Sequence, residues 1–316
     1  MRVVAIPMRT RFRGITVREV ALLEGPAGWG EWSPFLEYPP DVAEPWLRCA
    51  EEAMAGDWPA PVRTSVPVNV TVPAVGPERA HEIVRAGGCR TAKVKVAEPG
   101  QSTADDEARV EAVRDALGPD GHVRIDANGG WSVDDAVAAI GRLDRAAGGL
   151  EYVEQPVASV EDLARVRRRV DVPIAADESI RRAEDPYRVR DLEAADIAVL
   201  KVQPLGGVRA CLEIAERIGL PVVVSSALET SVGIAAGVAL AAALPDLPHA
   251  CGLATVQLLT ADVVTEPLLP VDGALPVRRP TVDVRRVEEL AAAPGRAAHW
   301  AARLAAVRAL REDRRS

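Results

Sequence analysis

The chain has 316 residues, a net charge of −8, 48% hydrophobic and 27% charged residues. That length is ample for a large core in one or two domains, and the composition is that of a soluble globular protein. No basic stripe is present and no apolar run reaches the length of a membrane span, so neither nucleic acid nor a membrane is an expected partner. The four cysteines (Cys49, Cys89, Cys211, Cys251) form no CxxC and no secretory segment precedes them. Reduced thiols and a cytoplasmic location are therefore expected. The four histidines lack metal-ligand spacing.

Val3–Met8 and Ile15–Glu24 read as an antiparallel strand pair, and the Gly-, Pro- and Trp-rich stretch at 25–34 as a turn, a short strand and a loop. Asp41–Ala55 has helical spacing. This beginning differs in order from all that follows, so residues 1–63 are assigned to a separate α+β domain. From Val66 the pattern alternates strictly. The expected strands are Val66–Val72, Ala92–Val96, Val123–Asp126, Leu150–Val153, Ile174–Ala176, Ile197–Val202 and Val222–Ser225, with Ala250–Leu253 as a candidate eighth. The expected helices are Pro77–Ala86, Thr103–Leu117, Val133–Leu143, Val160–Arg169, Ala183–Leu192, Val208–Ile218 and Ser231–Leu244. Ser102, Ser132, Ser159 and Ser231 stand where helix N-caps are expected. Such alternation predicts an α/β fold, a TIM-like (β/α)7β barrel over residues 64–262, rather than an open doubly wound sheet. The proline-rich stretch after Val263 is expected to leave the barrel, and residues 263–316 to return to the first domain, with a helix over Val282–Arg315.

The candidate chemistry starts at Thr91–Val96. Lys93 and Lys95 alternate with valines, so both ammonium groups point to one face of a strand. Asp126, Glu154, Asp177 and Lys201 follow at steps of 31, 28, 23 and 24 residues, each at the end of an apolar run. In a barrel, those are the strand ends where chemistry gathers. Three acids on consecutive strands repel one another unless a cation lies between them. An oxygen-only donor set favours Mg²⁺ or Mn²⁺. Lys95 and Lys201, four strands apart, would face each other across the mouth. The pocket suits a small-molecule carboxylate whose α-proton is taken by a lysine, with the enediolate stabilised electrostatically.

The motifs Lys93-Val-Lys95, Asp126-Ala-Asn128, Glu154-Gln155-Pro156, Asp177-Glu178-Ser179 and Lys201 resemble those of the enolase superfamily, muconate-lactonizing subgroup. The likeness spans nearly the whole chain. Within the subgroup, residues 200–207 (LKVQPLGG), residues 224–233 (VSSALETSVG) and Arg124 resemble the o-succinylbenzoate synthase family. The resemblance implies a metal-dependent syn-dehydration in menaquinone biosynthesis, with 2-succinyl-6-hydroxy-2,4-cyclohexadiene-1-carboxylate becoming 2-succinylbenzoate. It makes Lys95 the base, Lys201 the charge on the opposite face, and Lys93 an aid to the bound carboxylate. Asp126, Glu154 and Asp177 become the Mg²⁺ ligands. Asn128 is a substrate-binding candidate, and it joins Arg124 and Glu178 as residues that orient the ligands or lysines. Ser225 and Ser226 either line the substrate pocket or cap the following helix. Residues 28–38 are expected to form a lid in which Trp29 and Trp32 pack and Phe35–Tyr38 approach the substrate.

Two opposed lysines also suit an N-acylamino-acid racemase or dipeptide epimerase, although no Asp-x-Asp pair follows Ser226 to hold a dipeptide's ammonium. A barrel that binds metal and carboxylate without turnover is the alternative of another class, disfavoured by the cost of keeping buried lysines together. A Schiff-base aldolase would leave the carboxylates idle. A monomer or small homo-oligomer is expected.

Overall fold

The structure, a computed structural model, describes residues 1–181 and 185–314. Strands β1 (Arg2–Phe12), β2 (Ile15–Gly25) and β3 (Gly28–Trp32) form an antiparallel sheet in that order. The β1–β2 turn is tight because Arg13 and Gly14 both take positive φ, 51° and 77°, as a right-twisted hairpin requires. Helix α1 (Pro40–Ala55) starts with proline in its first turn and ends at Gly56 in the left-handed conformation. Its buried face, including Trp46, Leu47 and Ala50, packs on the sheet.

Next come β4 (Ser65–Pro67), β5 (Val70–Val72), α2 (Pro77–Gly87), β6 (Thr91–Lys95), α3 (Thr103–Leu117), β7 (His122–Asp126), α4 (Val133–Ala147) and β8 (Leu150–Glu154). They continue with α5 (Val160–Arg167), β9 (Ile174–Ala176), α6 (Glu178–Arg181), α7 (Arg188–Asp191) and β10 (Ile197–Lys201). After these stand α8 (Val202–Leu205), α9 (Val208–Ile218), β11 (Val222–Ser225) and α10 (Ser231–Ala243). The chain closes with β12 (Ala274–Pro276), α11 (Val284–Glu289) and α12 (Pro294–Asp313). Strands β5 to β11 form one parallel sheet in sequence order, the curled α/β architecture that the alternation predicted. Cys251 bridges in parallel to Val68, and Gly252 to Ser225. The expected eighth strand is thus reduced to two residues, and they join the two edges of the sheet.

Several expectations need correction. The strand expected over Val66–Val72 is split: β4 pairs antiparallel with β12, and only Val70–Val72 enters the barrel sheet. Pro67 has no N–H to give to a ladder, and Val68 N donates to Gly273 O instead. The helix expected over Ala183–Leu192 begins outside the described residues, which show α6 before that gap and α7 after it. The helix expected over Val282–Arg315 is two helices, with Pro294 opening the second; Arg315 lies outside the described residues. Ser102, Ser132 and Ser159 cap α3, α4 and α5 by accepting from the N–H three residues on. Ser231 does not cap α10; Thr230 does, and the Ser231 hydroxyl donates to Asp262.

The largest core lies between strands and helices, where Val94, Ile125 and Val153 meet Val110, Ile140 and Leu163. The barrel's lumen is filled by Tyr152, Ala175, Ile197, Val199 and Val223. That layer is a packed floor, with the charged residues above it at the C-terminal strand ends. The chain's last part returns to the first sheet: Ala5 N donates to Leu290 O and Ala292 N to Val3 O, both at 2.9 Å. Trp300 of α12 meets Trp32 edge-on at 5.4 Å. No helix among the described residues is long and apolar enough to cross a membrane.

Candidate active site

Strand register assembles the site. Lys95 pairs with Asp126 and Asp126 with Glu154, so these three strand-end side chains stand abreast. Asp177 directly follows β9, and Lys201 pairs with Ser225. Alternation sends Lys93 to the same side as Lys95, where it is 5% exposed. All three acids are fully buried.

Buried carboxylates must be paired, and here they are. Lys93 Nζ lies 2.9 Å from both oxygens of Glu154 and 3.3 Å from Asp126 Oδ2. Lys95 Nζ lies 2.6 Å from Asp126 Oδ2 and 2.6 Å from Asn128 Oδ1. Lys201 Nζ is 2.5 Å from Asp177 Oδ2. Arg181 Nε donates to Asp177 Oδ1 at 2.8 Å, and its Nη2 pairs with Glu178. Four carboxylates thus face four cations. Burial alone would raise Asp126, but Lys95, Lys93 and Lys201 outweigh it and hold its carboxyl well below the usual range. Asp177 is held at about 2: burial raises it, and the charges of Arg181 and Lys201 prevail. Glu154 is pushed up to about 7 by burial and by the charge of Asp126, against the pull of Lys93. Lys93 is shifted the other way, toward the charged form. Burial lowers it, but Glu154 and Asp126 raise it further, so it is held as an ammonium.

Among the described residues no three metal-ligating side chains are placed to hold an ion as they stand, because each acid is turned to a cation. Their chemistry nonetheless fits a hard dication. The donors are all oxygen, and Glu178 Oε2 is buried without a hydrogen-bond partner.

The strand ends open into a cavity of about 710 Å³ lined by Lys93, Lys95, Asn128, Glu178 and Lys201. Ser225 and Ser226 line it too. The Ser226 hydroxyl donates to Gly252 O at 2.8 Å and lies 2.8 Å from Thr255 Oγ1, and the cap of the following helix is Thr230 rather than either serine. Asn128 donates to Glu178 Oε1 at 3.2 Å. Arg124 is brought to none of the three acids. It is buried in the lumen and donates to Glu151, Asn69, Tyr152 and Ala250 O, so it cannot orient the carboxylates directly.

The first domain reaches the cavity through Phe35 and Trp46, while Trp32 is packed away from it. The β1–β2 hairpin tip, Thr10 to Gly14, also lines it, and the Phe12 ring lies 5.4 Å from Lys95 Nζ. Sequence reasoning missed that tip, and also Arg181. The spacing of Arg181, one helical turn after Asp177, was the available signal. Gln155 has a part that its place in the Glu154-Gln155-Pro156 motif does not reveal: its Oε1 accepts from the backbone N–H of Asp177 at 3.0 Å and so fixes that acid's backbone.

Known proteins share this chain's sequence and fold. Residues 77–281 match the enolase C-terminal domain-like family model, and residues 3–54 match the enolase N-terminal domain-like model. The o-succinylbenzoate synthase of Thermobifida fusca is 69% identical over 313 residues, 99% of this chain and 97% of that protein. The o-succinylbenzoate synthase of Mycolicibacterium smegmatis is 60% identical over 311 residues, 98% of this chain and 95% of that protein. Among solved structures, the muconate lactonizing enzyme from Pseudomonas putida aligns with TM-score 0.75 at 22% identity, covering 92% of this chain and 98% of that one. The L-Ala-D/L-Glu epimerase from Bacillus subtilis aligns with TM-score 0.74 at 23% identity, covering 89% and 95%. At those identities the solved structures speak for the fold alone. The chain belongs to the enolase superfamily and, within it, to the o-succinylbenzoate synthase family, and it is an enzyme of the lyase class.

Proposed function

We propose that this chain converts 2-succinyl-6-hydroxy-2,4-cyclohexadiene-1-carboxylate to 2-succinylbenzoate and water, a step of menaquinone biosynthesis in the cytoplasm. The observation that carries the reading is the convergence of Lys95 and Lys201 on one cavity floored by three buried carboxylates. Asp126, Glu154 and Asp177 would hold a divalent cation, Mg²⁺ with Mn²⁺ as a possible substitute, which supplies positive charge beside the ring carboxylate.

Lys95 acts as the neutral amine: it removes the proton α to the ring carboxylate, and the C–H electron pair moves into the carboxylate to give an enediolate. Lys201 sets its ammonium beside that developing charge. The electrons then return to expel the neighbouring hydroxyl on the same face. That hydroxyl leaves as water with the proton Lys95 has carried, and the ring becomes aromatic. Lys93, held by Glu154 and Asp126, keeps a fixed positive charge near the ring carboxylate. Asn128 orients Lys95, and Glu178 orients Asn128 and Arg181. Ser225 and Ser226 offer polar contacts on the far wall. The division of labour follows boundaries near residues 63 and 262: a capping domain, the barrel, and a C-terminal segment that returns to the cap. The working unit is a monomer or small homo-oligomer.

A turnover assay with the cyclohexadiene carboxylate, with and without Mg²⁺, tests this. Fast metal-dependent appearance of 2-succinylbenzoate is expected, and no conversion by folded, metal-loaded protein would overturn the substrate. The same two lysines would serve racemisation of an N-acylamino acid, one for each face. Deuterium uptake at the α-carbon of N-succinyl amino acids, without dehydration of the cyclohexadiene, would favour that reading instead.

A further inference from the structure

Arg18 lies on β2 of the capping domain, 2% exposed, and does not line the cavity. Its guanidinium nevertheless holds both of the cavity's walls. Nε donates to Leu228 O at 3.0 Å and Nη2 to Ala227 O at 3.2 Å, on the loop between β11 and α10. Nη2 also donates to Ser33 O at 2.5 Å, on the capping-domain loop, and the guanidinium lies over the Phe35 ring, 4.6 Å from its centroid. Ala227, Leu228 and Phe35 all line the cavity. A planar fork of fixed donors can clasp carbonyls from two segments at once; an ammonium on a flexible stem cannot hold the same geometry.

The barrel-side loop needs such a clasp. Leu228 has φ 66°, in the left-handed region that side-chain-bearing residues avoid, and surrounding contacts must maintain it. The neighbouring contacts also come largely from outside the loop. Glu31 of the capping domain accepts from Thr230 N at 3.0 Å, Thr230 Oγ1 at 2.6 Å and Gly233 N at 3.1 Å, while Glu229 turns back to Ala227 N at 2.6 Å. The charges that face Arg18 are Glu31, Glu229, Glu37 and Arg13.

We propose that Arg18 is a positioning residue for substrate: by clasping Ala227 and Leu228 to Ser33 and Phe35 it sets the gap between the barrel wall and the cap wall, and so which substrate fits between them. It touches neither substrate nor the lysines, so its loss weakens binding more than the chemical step. The inference rests on the proposed dehydration only for its kinetic readout.

Arg18→Lys and Arg18→Met are compared with wild type for KM and kcat on the cyclohexadiene carboxylate, and by amide hydrogen exchange of the free proteins. We expect KM to rise about tenfold or more with kcat within about threefold, the pattern of lost uniform binding. Faster exchange is expected only in the segments around 225–230 and 33–35. Lysine keeps the buried charge without the fork, so a KM restored to wild type by Arg18→Lys would overturn the clasp, as would an unchanged KM in folded Arg18→Met. If Arg18→Met fails to fold, Arg18→Lys decides; failure of both to fold makes Arg18 a general core element and overturns the proposal. A wild type without turnover would sink the dehydration instead. The clasp is then judged by exchange alone, where unaltered protection of both segments in Arg18→Lys overturns it.

Discussion

Lys95 differs from Lys93, the cation paired with Glu154, in what its removal would leave behind. Its ammonium is shared between Asp126 and Asn128, while Asp126 keeps a second partner in Lys93 at 3.3 Å. Lys95→Ala therefore leaves no buried carboxylate unpaired. Folding, judged by the thermal midpoint, and Mg²⁺ binding, judged by calorimetry, should be nearly unchanged. Turnover should fall by at least the ~10²–10⁴-fold that proton transfer by a positioned side chain contributes, since the same residue serves both proton transfers. Retained turnover would remove Lys95 as the base. Asp177 is the opposite case. Asn in its place keeps the shape and loses the charge that holds Lys201 and Arg181. Asp177→Asn should weaken Mg²⁺ binding by more than about 100-fold, the upper end of what losing a mere ligand-orienting partner costs. Wild-type affinity in that variant would take Asp177 out of the metal site.

At the scale of elements, the contact of β3 with α1 decides how the cap is built. Gly30 pairs with Leu23 in the sheet, and a Cβ added there would stand 2.2 Å from the backbone oxygen of Ala50. Backbone cannot swing aside as a side chain can, so Gly30→Ala must push α1 off the sheet. A loss of about 1–3 kcal/mol is expected from overpacking of this kind, measured by urea unfolding. The shift would be felt at the cavity, because α1 also carries Trp46, which lines it, and Glu52, which accepts from Val208 N and Arg209 N at the start of α9. An unchanged midpoint would mean that the two elements are less closely packed than their backbones indicate. The same contrast explains what could be read in the sequence. The barrel strands, most helices and the strand-end Lys95, Asp126, Glu154, Asp177 and Lys201 show themselves through local periodicity and placement. The pairing of β4 with β12, the hairpin tip at Thr10–Gly14 and the clasp of Arg18 do not. Their partners are far along the chain, 210 residues away for Arg18 and Leu228, and no local pattern encodes them.

For the whole molecule, the join between cap and barrel places ionisable groups where water does not reach, and this couples stability to pH. Glu31 is pushed up to about 7, first by burial and then by the charge of Glu229, against the hydrogen bonds from Thr230 and Ser33 and the charge of Arg18. The native state therefore keeps a proton that the unfolded chain releases near pH 4.5. Wherever the native state binds more protons, stability falls as pH rises. The contribution of Glu31 is thus fully present below about pH 4.5 and is lost as pH rises through about 7. Its slope can reach about 1.4 kcal/mol per pH unit, one proton's worth. Glu229 is shifted in the same direction, mainly by burial, and Glu154 also titrates about 7 in the metal-free protein, so wild type alone cannot isolate Glu31. The difference between wild type and Glu31→Gln can, because glutamine carries no titrating proton and leaves Glu154 in place. Unfolding free energy of the two metal-free proteins, measured by urea at a series of pH values, should converge as pH rises from about 5 to 7, with wild type losing more. Parallel curves would mean that the donors at the start of α10, together with Arg18, keep Glu31 ionised throughout. The cap would then be held to the barrel by a permanent charge, and its docking would be indifferent to pH near neutrality.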